Sequence, residues 1–389
     1  MLRFCRIRSI SSVAFAFFFL LCGCSIKNRE VTSSQPEMVD KLQVRWKPDF
    51  SYAYAPDQID LSSKAIFGTA GDLLQWQKIP LQRLRVQAAE IQRDLRVRFA
   101  SRQTRRNDLA TVVNDTYIVE SAKLSSPLTY TISRWTPRQN GLAGPVIVAF
   151  DGHGDCGGEC TGKPPERMFQ RDGFGRHLVQ RGWTVIGVPT AIHKPLSKFN
   201  AKHDFPLIWA ALAMLVLKQA DISSSSPHDV IYVGNAIGGL TAAAASIIDS
   251  RTLATVTNGA FFPLDFTRHH YRIKDHALCH DMREFASYVP FYALLYPLPL
   301  MIQVGEEDGL WMGHGPVKSS DWFSGLPRGA TSDETVGAAL LLQRLWTRSG
   351  KDFSLAVHPG GHEELDASRA DQFLKPLVSG LTTHHVPPR

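Results

Sequence analysis

From residue 116 onward the chain alternates short apolar runs with helix-like stretches. Segments 116–120 (TYIVE) and 128–135 (LTYTISRW) look like an opening β-pair. Segments 145–150 (PVIVAF) and 182–188 (GWTVIGV) are continuous apolar runs of strand length, with a helix over Phe174–Gln180 before the second. An apolar helix at 206–217, a strand at 230–233, a small-residue helix at 239–248 and a strand at 253–256 follow. A strand at 300–304, a helix near 336–347, a strand at 353–357 and a helix near 370–378 complete the series. Near-continuous apolar strands alternating with helices predict an α/β domain, a mostly parallel sheet with helices on both faces.

The preceding sequence reads differently. Residues 24–75 are polar and turn-rich and predict a tether and an extended arm. Leu84, Ala88, Ile91, Leu95 and Phe99 then recur at helical spacing, so 76–115 reads as an Arg-rich amphipathic helix region. Its other side carries Arg83, Arg93, Arg96 and Arg102, expected to form a solvated face; contact with anionic lipid or lipopolysaccharide is the alternative. The domain proper is assigned to 116–389, with an insertion at about 262–290 that caps or walls a pocket.

Composition narrows the class. Of 389 residues, 44% are hydrophobic and 20% charged, which is ordinary globular material. No apolar run reaches the ~20 residues of a membrane-spanning helix, which argues against a polytopic membrane protein. At the N-terminus, Arg3, Arg6 and Arg8 precede an apolar stretch from Ile10 to Leu21, the layout of a signal peptide over 1–23. The following Leu21-Cys22-Gly23-Cys24 resembles the lipobox of bacterial lipoproteins, which implies lipidation of Cys24 and attachment to the cell envelope facing the periplasm, at the outer membrane rather than the inner. A plain secretory signal cut nearby and an uncleaved anchor are the other readings. Loss of 1–23 removes three Arg and no acid, so the formal charge of +7 falls to +4. That is too mild a surplus to argue for nucleic acid, and the expected partner is the membrane.

Three cysteines lie beyond Cys24: Cys156, Cys160 and Cys279. An oxidising compartment permits one disulfide, and Cys156 and Cys160 are the nearest pair in sequence; which thiol is left over stays open.

Ligands of parallel sheets sit outside the carboxyl ends of the strands, so those ends carry the candidate chemistry. They read Asp151-Gly152-His153-Gly154, then Gly234-Asn235-Ala236-Ile237-Gly238-Gly239, then Gly305-Glu306-Glu307-Asp308, and last His358-Pro359-Gly360-Gly361-His362. Elbow, acid and histidine in this order resemble the α/β-hydrolase superfamily, whose elbow is Gly-x-Ser-x-Gly and whose triad runs Ser, Asp or Glu, His. The HGHG-like loop and Pro297-Leu298-Pro299 are similar to the dienelactone hydrolase and acetylxylan esterase branch. The resemblance spans about 116–380. It implies Asp308 as acid and His362 as base, with the loop at His153 and Gly154 as outer oxyanion donor and Ile237 N–H as the inner one. Gly234, Gly238 and Gly239 match the elbow. Glu306 and Glu307 remain alternative acids, and His358 is expected to be a structural strand-end residue.

The nucleophile position, however, holds Ala236. A methyl has no lone pair with which to form an acyl-enzyme, so the expectation is a degenerate hydrolase that binds a small ester-like ligand or a protein partner, with no cofactor. The alternative is a working esterase on small carboxylic or acylated-carbohydrate esters, through a displaced nucleophile such as Cys156 or Cys160, or through water activated by His362. Thr241 is expected to point elsewhere. The stretch His269, His270, His276, Cys279, His280 has metal-ligand residue types without the spacing of a closed zinc site, and is expected to be a solvated loop.

Overall fold

The computed structural model describes residues 70–139, 141–142, 144–152, 167–220, 230–261, 282, 285, 288–305, 332–361 and 365–384. All described elements belong to one compact unit, residues 46–389, which carries both apolar layers and therefore a complete core of its own.

Nine strands make one sheet: β1 (Arg96–Arg106), β2 (Ala110–Glu120), β3 (Leu128–Pro137), β4 (Val146–Phe150), β5 (Val185–Val188), β6 (Val230–Asn235), β7 (Thr252–Asn258), β8 (Leu300–Gly305) and β9 (Phe353–His358). Their spatial order is β1-β2-β3-β5-β4-β6-β7-β8-β9. The first three strands and the β3/β5 pair are antiparallel, and every other pair from β5 to β9 is parallel. Strands β4, β5, β6 and β7 are buried almost throughout, as their unbroken apolar runs demand of a sheet covered on both faces.

The helices longer than four residues are α1 (Ala70–Asp94), α2 (Phe174–Gln180), α3 (Phe205–Gln219), α4 (Ile237–Ile248), α5 (Tyr288–Ala293), α6 (Ser332–Arg348) and α7 (Ala367–His384). Two apolar clusters result. One joins α1, α3, α4, α5 and α6 to one face of the sheet, through Ile91, Trp209, Leu240, Phe291 and Trp346. The other joins α2 and α7 to the opposite face, through Leu178, Leu374 and Trp183. Among the described residues no helix is long and apolar enough to cross a membrane.

The structure corrects the reading of 76–115. Leu84, Ala88, Ile91 and Leu95 are buried, as their spacing requires, but the helix stops at Asp94. Phe99 falls in β1, 48% exposed and edge-on to Tyr117. Residues 96–106 pair over nearly their whole length with the β-branched run of β2, and ladder formation overrides the helical period that Phe99 continued by coincidence. The boundary at 116 consequently falls inside β2. Met282, Phe285, Tyr288 and Val289, at the end of the assigned insertion, are buried in the core; residues 262–281, 283–284 and 286–287 lie outside the described residues.

Candidate functional site

Topology picks the place. The chain goes from β4 to β5 on one side and then to β6 on the other, so β4 is the switch point, where a crevice opens beyond the carboxyl ends of β4 and β6. Asp151 and Gly152 leave β4 there, and Ala236 leaves β6. A Cβ built on Gly152 would lie 3.2 Å from that of Ala236, so the two strand ends are in contact across the crevice.

Ala236 has φ 50° and ψ −125°, a backbone conformation that costs a residue with a Cβ of the order of 1–3 kcal/mol. The neighbours impose it. The Ala236 N–H donates to the Asn258 carbonyl at 2.8 Å, tying the turn to β7. Its own carbonyl accepts from Gly239 N–H at 2.8 Å, so the chain turns into α4 at once. The glycines are there for space. A Cβ on Gly234 would lie 2.1 Å from the Gly238 carbonyl oxygen, and one on Gly238 would lie 2.3 Å from that of Asp151. On Gly239 it would meet the Ala260 methyl at 2.4 Å. Strand, turn and helix are therefore pressed together more closely than any side chain would allow. Ile237 and Gly238 open α4, and their N–H groups have no acceptor within the helix, since the carbonyls four residues back belong to β6. Both N–H groups lie at the helix N-terminus beside Ala236.

His358 is, as expected, a structural strand-end residue, but the polar cluster it forms beneath this turn was not foreseen. Asn235, Asn258 and His358, at the ends of β6, β7 and β9, are 1%, 0% and 3% exposed. The Asn258 amide donates to Asn235 Oδ1 at 2.7 Å. His358 Nδ1 accepts from Gly360 N–H at 3.2 Å, which leaves Nε2 as the protonated nitrogen of the neutral ring, donating to Asn258 Oδ1 at 2.8 Å. Gln303 extends the bracing, donating to the Asp366 carbonyl at 2.9 Å and accepting from Asp366 N–H at 2.8 Å. The end of β9 and the residue before α7 are thus each tied to another strand. The signal for these residues was positional only, one polar residue ending each apolar strand.

On the β4 side the Asp151 carboxylate accepts from Gly152 N–H at 2.8 Å, and its carbonyl accepts from the Thr190 hydroxyl at 2.6 Å. A cleft of about 910 Å³ runs from Asp151 past Arg167, Arg171 and His177 to Gly361 and Leu365. Ala236 is not in its wall; the residue is 5% exposed. Thr241, as expected, points away: it is fully buried and donates to the Ile237 carbonyl at 3.0 Å.

Of the residues read from the sequence, Gly234, Ala236, Ile237, Gly238 and Gly239 meet at this turn. His153, Gly154, Cys156, Cys160, Asp308, His362 and Cys24 lie outside the described residues, as do Glu306, Glu307 and the stretch from His269 to His280. Among the described residues no group of three or more His, Cys, Asp or Glu is placed to hold a metal ion.

No protein-family model matches the chain. No curated protein matches it in sequence. Solved structures do. A carbohydrate esterase family 15 glucuronoyl esterase from Teredinibacter turnerae superposes with TM-score 0.52 at 16% identity, covering 79% of this chain and 86% of its own. One from Caldicellulosiruptor kristjansonii gives 0.50 at 14% identity, covering 79% and 87%. At these identities the likeness is one of fold, and it joins what the strand order and the sharp strand-to-helix turn after β6 already indicate: the chain has the α/β-hydrolase fold, a mostly parallel sheet with helices on both faces.

Proposed function

We propose that this protein is a membrane-tethered, degenerate member of the ester-hydrolase branch of this fold, binding an ester-like ligand or a partner without covalent turnover. The observation that carries the reading is Ala236. A strained backbone with positive φ at the end of β6 serves a hydrolase by projecting a serine oxygen over the helix N-terminus. Here the strain, the glycine contacts and the N-terminus of α4 are all retained around a methyl. Without the hydroxyl no acyl-enzyme forms, and in a serine hydrolase that loss lowers turnover by about 10⁶. Asp308 as acid, His362 as base and the His153–Gly154 loop as outer oxyanion donor belong to this proposal, as does the kinship with dienelactone hydrolases and acetylxylan esterases. Lipidation at Cys24 supplies the tether.

The test is hydrolysis of short-chain nitrophenyl esters by residues 46–389 and by the Ala236→Ser variant. The variant is expected to turn over and the parent to stay at background. Turnover by the parent that His362→Ala abolishes would overturn the reading and require another attacking group. A variant as silent as the parent across acetyl to butyryl esters would equally count against an assembled site.

A further inference from the structure

The far edge of the sheet carries a feature unconnected with the strand-end site. Strand β1 is an edge strand of 11 residues, of which Arg96, Arg98, Arg102, Arg105 and Arg106 are five, with no acidic residue among them. All five side chains are exposed. Two are matched by acids on β2: Arg102 binds Asp115 through two nitrogens at 2.6 and 2.9 Å, and Arg98 meets Glu120 at 3.5 Å. Arg96, Arg105 and Arg106 form no ion pair with any described residue, and Arg93 precedes them on the exposed side of α1.

The register shows how they are arranged. A bulge between Phe99 and Ser101 shifts the pairing, so that Arg96, Arg98 and Arg105 stand opposite Glu120, Ile118 and Val112 on one face. Arg102 and Arg106 stand opposite Asp115 and Thr111 on the other. The guanidiniums thus flank both sides of a single edge, spread over the ~33 Å between positions 96 and 106. Phe99, an exposed aromatic, lies on the same edge with Arg102 above its ring at 6.0 Å. Edge strands carry charges to prevent pairing with other chains, and lysine serves that purpose as well. An all-arginine set suits something narrower, because guanidinium presents a planar fork to phosphate and lysine does not.

We infer that β1 docks edge-on against an anionic phospholipid leaflet, its arginines on the phosphates and Phe99 at the headgroup level. A line of cations from both faces of one strand matches a flat anionic surface, which both rows can reach at once. The choice of occupant rests on the proposed membrane tether; the docking itself does not, and the test omits the lipid anchor.

Residues 46–389, which hold the whole core and no lipidation site, are sedimented with vesicles of phosphatidylcholine alone or with 30% phosphatidylglycerol. Binding is expected to the anionic vesicles only and to vanish at high salt. Arg96→Gln/Arg105→Gln/Arg106→Gln should weaken it about a hundredfold, with an unchanged melting temperature, while Arg83→Gln/Arg85→Gln on α1 should leave it within about twofold. If the triple variant melts early, Arg105→Gln alone carries the test, with about a fivefold loss. Equal binding to both vesicles, no binding to either, or a triple variant that binds like the parent would overturn the inference. So would tighter binding to duplex DNA of equal phosphate concentration. Palmitate labelling of the full chain reports on Cys24 separately, so failure of the anchor and failure of the docking edge are distinguishable.

Discussion

At the carboxyl ends of β6, β7 and β9 polar groups are inside the protein: Asn235, Asn258 and His358 are 1%, 0% and 3% exposed, and each is held by a hydrogen bond to another strand end. Along β1, at the other edge of the same sheet, five arginines face water and three of them have no acidic partner among the described residues. The difference is one of desolvation. A buried amide or imidazole must find its partner inside the protein or lose the hydrogen bonds water gave it, whereas an exposed guanidinium loses nothing by standing alone. The strand ends therefore form a frame in which these three side chains hold one another. The edge leaves three of its charges without an ion pair to any described residue.

That contrast can be broken most severely where backbones touch. Gly238→Ala would place a methyl 2.3 Å from the Asp151 carbonyl and 2.4 Å from that of Phe150. Neither is a side chain that can swing away, so urea unfolding should show a loss of about 4 kcal/mol, or no folded protein at all. Next comes Asn258→Leu, which strands the Asn235 carbonyl oxygen and His358 Nε2 in the core. About 3 kcal/mol should disappear from the same measurement, since both orphaned groups keep their desolvation cost.

A third substitution sharpens the comparison at a charge that is inside. The Asp249 carboxylate, 5% exposed, accepts from Arg251 at 2.8 and 3.0 Å and from the Tyr232 hydroxyl at 2.6 Å. Burial pushes this carboxyl up, but the hydrogen bonds from Arg251 and Tyr232 outweigh it and hold it below the usual carboxylate range. A folded value below the unfolded one means that the stabilisation is complete above the unfolded value near 3.8 and is lost as pH falls through the folded value. Asp249→Asn should cost about 1–3 kcal/mol at neutral pH. Its denaturation midpoint should also be less sensitive than the parent's to acid below that range. The smallest effect belongs to the open edge. Glu120→Gln breaks the Arg98 pair, whose side chains are 63% and 45% exposed, and should change stability by no more than about 0.5 kcal/mol. A loss there as large as that at Asn258 would mean the edge is not the permissive surface described above.

Much of the fold could be read from residues alone. Runs such as 145–150 and 230–233 became β4 and β6 because nothing but burial on both faces suits an unbroken series of β-branched and apolar side chains. The elbow was legible for a different reason: Gly234, Gly238 and Gly239 mark places where only a missing Cβ permits the approach of backbone to backbone. What stayed hidden involved partners remote in sequence. Asn258 lies 23 residues from Asn235 and 100 from His358, and no local pattern announces that these three polar strand ends will meet. Strand β1 was misread because its partner decided it. Taken alone, Phe99 continues the spacing of Leu84 to Leu95, and only the ladder to β2 makes it a strand residue.

The sequence by itself determined the alternation of strand and helix, the sharp turn at Ala236 and the absence there of a nucleophilic oxygen, because period, glycine and side-chain chemistry are local properties. Tertiary structure alone decided where helix α1 ends, which polar residues brace the elbow, and that five arginines share one free edge. Those outcomes depend on which strands lie side by side, and pairing energies exist only once distant segments have come together.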